Sequence, residues 1–295
     1  MPRANVSTGM ELEYDTIGSP DDPALLLIMG FTAQMTQWDD SFCKLLAAGG
    51  LFVIRFDNRD CGLSTKVDGA QVDLGAVMVA ALSEQSMPHV PYTLSDMAAD
   101  AVGLLDCLGI HKAHVMGASM GGMIAQTVAI EHPHRCLSLI SVMSQPGDPD
   151  VGQPTPEAAA ALLAPPPSSR AEYIASSPRW MTWHSKKYRD EARTKEQAAR
   201  DFDRSFYPEG AGRQLAAIYA SGRRSAQLAE LQMPTLVIHG RDDTLITPSG
   251  GIRTAELIGG ANLLLMADMG HDMPEPLWPI LTDAVVSHAR HAGGA

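Results

Sequence analysis

The pentapeptide Gly-Ala-Ser-Met-Gly at residues 117–121 places the strongest constraint on how this chain can fold. It follows a short apolar run at residues 113–116, which predicts a buried strand, and it precedes a helix expected to begin near Gly122. A turn this tight leaves no room for side chains two residues either side of Ser119, so glycine is required at both places. The pattern predicts a strand, a sharp turn and a helix, with Ser119 above the carboxyl edge of a sheet.

Five further apolar runs of strand length recur along the chain. They lie at residues 24–29, 51–56, 137–143, 235–239 and 262–266. Stretches with helical spacing lie between them, for example at residues 94–108 and 120–130. Strands that alternate with helices in this way predict an α/β fold built on a doubly wound, mostly parallel sheet.

The alternation stops between residues 145 and 224, where prolines interrupt an alanine-rich, helix-prone segment without clear strands. We therefore predict a core formed by residues 1–144 and 225–295, with a helical cap or lid inserted at residues 145–224. The insert carries half of the aromatic residues of the chain. It is expected to roof an apolar pocket, unless its aromatic side chains pack only on one another. A second irregular stretch, residues 67–91, is a candidate for a short additional lid.

Charge and composition exclude several classes of partner. A net charge of -12 leaves no basic stripe for phosphates, which argues against nucleic acid, anionic membrane surfaces and polyanionic substrates. The four cysteines are far apart and are expected to be reduced structural thiols. No apolar run approaches the ~18 residues that span a bilayer, and the first 18 residues do not resemble a signal peptide, so a cytoplasmic location is expected.

A serine hydroxyl is a poor nucleophile at neutral pH and needs a base, itself oriented by an acid. His271 is the candidate base, because it follows Gly270 on a loop just after the predicted strand at residues 262–266. Catalytic groups collect at such carboxyl ends of strands in open α/β sheets.

The candidate acid is Asp243, which follows the predicted strand at residues 235–239. The neighbouring Asp242, and Asp148 after the preceding predicted strand, remain alternatives. His239, Asp242 and Asp243 are close in sequence, but their spacing is not that of a metal site, and no metal or cofactor is expected.

Over nearly its whole length the sequence resembles the α/β-hydrolase family, from the strand at residues 25–30 to the pair Gly270-His271. The order Ser119, Asp243, His271 is the order of the catalytic triad in that family. Residues 57–64 resemble its D-x-R-G-x-G-x-S turn, with Asp60 in place of the first glycine. Within the family, the chain is most similar to the carboxylesterases of actinobacteria, the aclacinomycin methylesterase group among them.

The start of the predicted helix also supplies a candidate oxyanion donor, the backbone N–H of Met120. The resemblance implies the second donor. A His-Gly pair commonly precedes that residue in the family, and here the pair is Met29-Gly30, which assigns the donor to the N–H of Phe31. A backbone donor does not depend on the missing histidine.

The resemblance implies acyl transfer: hydrolysis of a neutral, hydrophobic ester through an acyl-enzyme, including methyl-ester cleavage on a bulky polyketide. The same triad also serves cofactor-free perhydrolases and haloperoxidases, lactonases and enzymes that cleave carbon–carbon bonds. A receptor that captures a small ligand in a hydrolase-like pocket is the alternative outside enzymes.

Overall fold

The computed structural model describes residues 2–83 and 85–293. The strands among these residues form one eight-stranded sheet. The strands are β1 (Arg3–Asn5), β2 (Glu11–Ile17), β3 (Ala24–Ile28), β4 (Phe52–Phe56), β5 (Ala113–Ala118), β6 (Cys136–Val142), β7 (Thr235–Gly240) and β8 (Asn262–Met266). They lie in the order β1-β2-β4-β3-β5-β6-β7-β8. From β4 to β8 all neighbours are parallel, whereas β2 is antiparallel to both β1 and β4. The predicted α/β class with a mostly parallel sheet is confirmed.

The helices of the described residues follow in chain order. They are α1 (Asp40–Ala48), α2 (Leu74–Leu82), α3 (Leu94–Cys107), α4 (Met120–Glu131), α5 (Pro156–Leu162), α6 (Arg170–Ser176), α7 (Glu191–Arg204), α8 (Glu209–Ser221), α9 (Ser225–Leu228), α10 (Ser249–Leu257) and α11 (Trp278–Gly293). None of them is both long and apolar enough to cross a bilayer.

Strand β3 shows why the central strands are apolar throughout. Leu25 and Leu27 belong to a core on one face of the sheet, together with side chains of α1 and α11. Leu26 and Ile28 point to the opposite face and join a second core, with side chains of α3 and α4. Because successive side chains alternate between two covered faces, every position of β3 is buried.

All six predicted strands are present, with ends that differ by no more than two residues from the expected ones. The antiparallel strands β1 and β2 were not predicted. β1 is an edge strand and β2 lies next to it. Both are short or half-exposed, so polar residues separate their apolar ones and no apolar run marks them.

The insert at residues 145–224 carries α5 to α8 between β6 and β7. The segment at residues 67–91 contains α2, which packs against α8 of the insert. Glu84 in that segment lies outside the described residues, as do Met1 and residues 294–295 of the predicted core. The segment at residues 67–91, predicted as a separate additional lid, is therefore in contact with the insert through α2 and α8.

Candidate active site

Ser119 stands at the sharp turn between β5 and α4, with a backbone φ of 58° and ψ of −124°. This left-handed conformation is costly for a non-glycine residue, and strain of this kind persists where the surrounding structure enforces it. A Cβ on Gly117 would overlap the carbonyl of Gly121, and a Cβ on Gly121 would overlap the carbonyl of Ile28. The two glycines are required for the steric reason that the sequence predicted.

The loop after β3 lies directly against Ser119. A Cβ on Gly30 would be 3.0 Å from the Ser119 Cβ and 3.5 Å from its Oγ. Within residues 2–83 and 85–293, neither the Phe31 N–H nor the Met120 N–H donates a hydrogen bond to a protein acceptor. An amide without a partner is normal at the first residue of a helix, such as Met120 of α4, whereas a loop amide such as that of Phe31 is more often paired.

Asp243 and His271, which follow β7 and β8, form a hydrogen-bonded pair. His271 Nδ1 donates to Asp243 Oδ2 at 2.7 Å, and the other carboxylate oxygen accepts from the amides of Leu245 (2.9 Å) and Ile246 (3.0 Å). Burial acts to raise the pKa of Asp243, but the charge of His271 and hydrogen bonds from His239 and His271 hold it below the usual range. Asp243 is therefore held as a carboxylate that fixes the proton of His271 on Nδ1.

The alternative acids are placed elsewhere. Asp148 accepts a hydrogen bond from Ser225 and pairs with Arg253 at 3.2 Å. The Asp242 amide donates to the Met269 carbonyl at 2.9 Å. Of the three aspartates, only Asp243 makes a hydrogen bond with His271 among the described residues.

His239 is a neighbour of the acid that sequence reasoning did not single out. It is fully buried at the end of β7, and its Nε2 lies 2.8 Å from the Ile246 carbonyl and 3.3 Å from Asp243 Oδ2. In the sequence His239 stands four residues before Asp243, and nothing in that spacing indicates the contact between the two side chains. No group of three or more His, Cys, Asp or Glu side chains in the described part of the chain is arranged to hold a metal ion.

The insert contacts the loop that carries His271. The His271 amide donates to the Trp183 carbonyl at 2.7 Å, and Asp272 Oδ1 accepts from the amides of Ser185 (2.9 Å) and Gly270 (3.2 Å). Burial raises the pKa of Asp272 to about 6. Burial and the nearby charge of His271 lower the pKa of His184 to about 4, which keeps this imidazole neutral at physiological pH.

Sheet topology brings Ser119, Asp243 and His271 to one edge, because each follows the carboxyl end of a parallel strand, β5, β7 or β8. Within the described residues no hydrogen bond joins the Ser119 hydroxyl to His271. Such bonds are often long in the absence of substrate and shorten in the reacting complex.

Asp60, which replaces a glycine of the family pattern, has a φ of 63° and is buried. Arg213 of α8 binds both of its carboxylate oxygens, at 2.7 and 3.0 Å, and the hydroxyl of Tyr92 and the amide of Val67 each donate at 2.7 Å. Although burial acts to raise the pKa of Asp60, these partners keep it below the usual range. Asp60 thus joins the insert to the core through a buried ion pair.

Four aromatic side chains of the insert pack on one another, with Phe202 and Phe206 stacked at 4.6 Å and Tyr173 contacting both of them and Trp180. These half-buried side chains form an aromatic cluster within the insert, the arrangement that one of the two sequence interpretations expected for the whole aromatic set.

A parallel sheet with a serine on a strained strand-to-helix turn is the architecture of a hydrolase, and the chain belongs to the family described as alpha/beta hydrolase fold. Residues 23–275 match the sequence profile of that family. The family is hydrolytic, and the predicted classification of this chain as an enzyme is confirmed.

Two relatives and one solved structure span nearly the whole chain. A rhodomycin D methylesterase from a Streptomyces species is 29% identical, with 94% of each chain aligned. The rhodomycin D methylesterase of Streptomyces peucetius is 28% identical, again over 94% of each chain. The crystal structure of the enol-lactonase from Burkholderia xenovorans superimposes with a TM-score of 0.74 at 25% identity, covering 97% of this chain and 99% of that one.

Proposed function

We propose that this chain is a carboxylic-ester hydrolase in which Ser119 is the nucleophile, His271 the base and Asp243 the orienting acid. The proposal rests on one arrangement. The Asp243–His271 pair, with its 2.7 Å hydrogen bond, lies at the same sheet edge as a strained serine beside two unpaired backbone amides. A serine, a base oriented by an acid, and backbone donors are the groups that acyl transfer requires.

In the first half-reaction, His271 Nε2 takes the hydroxyl proton of Ser119 as Oγ bonds to the ester carbonyl carbon. The N–H groups of Phe31 and Met120 stabilise the negative oxygen of the tetrahedral intermediate. The intermediate collapses, the bond to the alcohol breaks, and the alcohol leaves with the proton from His271. His271 then deprotonates a water molecule, which attacks the carbonyl carbon of the acyl-enzyme. The acid is released as His271 returns the proton to Ser119 Oγ.

We further propose that the insert, residues 145–224, acts as the cap of this site and selects a neutral, hydrophobic ester. Its contacts with the His271 loop and with the loop after β3 support this role. The net charge of -12 disfavours anionic substrates. The names of the two methylesterase relatives favour a methyl ester as the group cleaved. The similarity to an enol-lactonase favours a lactone, an internal ester, as the second candidate substrate class.

Purified protein tests the proposal in a graded series of p-nitrophenyl esters, from acetate to palmitate, together with hydrophobic methyl esters followed by acid release. We expect multiple turnover that falls at least about a thousandfold in Ser119→Ala. Ser95→Ala, on the outer surface of α3, is the control and is expected to retain full activity. Absence of turnover on every ester by the wild type, or equal activity in Ser119→Ala, would contradict the proposal.

A further inference from the structure

Gln214 lies on α8 of the insert, far from Ser119 in sequence, and its side chain is completely buried. Its Oε1 accepts a hydrogen bond from the Thr32 amide at 2.8 Å, and its Nε2 donates to the Arg59 carbonyl at 2.9 Å. The amide group of one glutamine therefore bridges two core loops, the loop after β3 and the turn after β4.

The bridged loop needs an external restraint. Thr32 has a φ of 55°, a conformation that a β-branched residue adopts only when it is held there. Its amide is bound by Gln214, and its carbonyl lies 3.2 Å from the Sγ of Cys61. Both peptide groups of Thr32 are thus fixed by side chains from elsewhere in the chain. Phe31, whose N–H is unpaired, is the residue directly before them.

The core and the insert hold different parts of this loop. Asn58, a core residue, donates to the Met29 carbonyl at 2.8 Å. Beyond that point the insert adds contacts of its own: Gln214 binds the Thr32 amide, and the Gln34 side chain donates to the Asp201 carbonyl at 2.7 Å. The Phe31 amide lies between the Met29 carbonyl, which Asn58 of the core holds, and the Thr32 amide, which Gln214 of the insert holds.

We propose that Gln214 is a positioning residue for the oxyanion hole. By holding the N–H of the Phe31–Thr32 peptide, Gln214 restrains the backbone dihedrals of Phe31. It thereby aims the Phe31 N–H, which belongs to the preceding Gly30–Phe31 peptide, at the carbonyl oxygen that Ser119 attacks. The inference rests on the proposed function. It adds that the insert, through Gln214, helps to form the oxyanion hole. The position of α8 on the core therefore affects how well the transition state is stabilised.

Gln214→Met tests this, because methionine has similar length and volume and makes neither hydrogen bond. We expect kcat for a p-nitrophenyl ester to fall about ten- to a hundredfold, less than the loss of a whole donor, while KM stays within about threefold. Phenylboronic acid is a second probe: its boron bonds to Ser119 Oγ, His271 takes the hydroxyl proton, and a hydroxyl oxygen of the resulting tetrahedral boronate anion occupies the hole. Its inhibition constant is expected to rise in parallel with the loss in kcat/KM.

Ser221→Ala is the matched control. Ser221 lies on the same helix and its Oγ accepts from the Leu94 amide at 2.9 Å, so the variant removes one contact between insert and core away from Thr32. We expect kcat within about threefold of the wild type. Wild-type kcat in Gln214→Met, or an equal loss in Ser221→Ala, overturns the inference while the wild type remains an esterase. A wild type that cleaves no ester overturns the proposed function, and the inference with it.

If Gln214→Met does not fold, Gln214→Asn decides the question. Asparagine keeps a buried amide group but is one methylene shorter, so it cannot make both hydrogen bonds of Gln214 at their present lengths. A loss in kcat at unchanged KM supports the positioning role of Gln214. Wild-type kinetics in Gln214→Asn overturns it.

Discussion

Asp243 Oδ2 accepts the Nδ1 proton of His271 at 2.7 Å, while its other oxygen is held by two backbone amides. Because these three hydrogen bonds engage both carboxylate oxygens, the orientation of Asp243 is fixed before substrate arrives. The remaining nitrogen of His271, Nε2, is thereby left as the acceptor for a proton from Ser119.

Replacement of Asp243 by asparagine should remove both roles of this carboxylate, which are to orient His271 and to stabilise its positive charge. The amide keeps the size of the side chain but favours the wrong tautomer of His271 and cannot stabilise its protonated form. We expect kcat to fall about ten-thousandfold. Asp242→Asn is the matched control and should retain activity within a few-fold. Comparable losses in the two variants, measured by initial rates on one ester, would contradict the assignment of the acid.

Gly30→Ala tests the closeness of the loop after β3 to the nucleophile. The new methyl group would lie 3.0 Å from the Ser119 Cβ and 3.1 Å from the Ala118 carbonyl, so the loop must shift away from Ser119. We expect at least about a tenfold loss in kcat, since oxyanion donors act only at the correct distance. Gly259→Ala, where the added methyl meets no atom within 4 Å, is the control. Equal rates for the two variants would show that the loop tolerates displacement.

Asp60→Gly restores the residue that the family pattern has at this turn, and we expect it to destabilise the protein. Glycine relieves the cost of the positive φ, but Arg213 then remains buried without its carboxylate. The net loss should be about 2–4 kcal/mol in the free energy of unfolding, measured in urea. The double variant Asp60→Gly, Arg213→Met should recover a large part of that loss. Additive losses in the double variant would mean that the pair is not coupled.

Asp272→Asn should change how stability depends on pH. Burial raises the Asp272 pKa from 3.8 to about 6, so between these values the folded state binds more protons than the unfolded state. The contribution of Asp272 to the free energy of unfolding is therefore highest below pH 4 and decreases as pH rises through 6. Asparagine keeps an acceptor for Ser185 and Gly270 but does not titrate.

Between pH 4 and 7 the wild type should lose roughly 1–2 kcal/mol more stability than Asp272→Asn does, after allowance for partial exposure of the group. Chemical unfolding at several pH values measures this. Asp268→Asn, on the same loop and paired with Lys187 at the surface, should retain the wild-type slope. Parallel pH profiles for the wild type and Asp272→Asn would contradict the expected effect.

The sequence predicted those features that depend on neighbours along the chain. The turn at Ser119 is specified by glycines two residues away, and the central strands by continuous apolar runs that two covered faces require. The acid and the base followed from strand ends, because parallel strands bring their carboxyl ends to one edge. The choice of Asp243 over Asp242 and Asp148 is supported by the hydrogen bond to His271, which no sequence pattern contains.

Other features depend on contacts between distant residues. Gln214 is 182 residues from Thr32, and nothing in the helical pattern of α8 distinguishes it from an ordinary buried polar residue. Asp60 looked like a departure from a family turn, and the Arg213 that compensates for it lies 153 positions away. Strand β2 has no continuous apolar run, so its own sequence does not predict a strand. It forms because β4 provides the backbone hydrogen bonds of an antiparallel partner.

The central claim is that Ser119 is the nucleophile, and labelling with a fluorophosphonate tests it most directly. Ser119 Oγ would bond to phosphorus, fluoride would leave, and His271 would take the hydroxyl proton. We predict one adduct per chain by intact mass, located on the peptide that contains Ser119, absent in Ser119→Ala and slowed by orders of magnitude in His271→Ala. A wild type that remains unlabelled, or an adduct that persists in Ser119→Ala, would contradict the account.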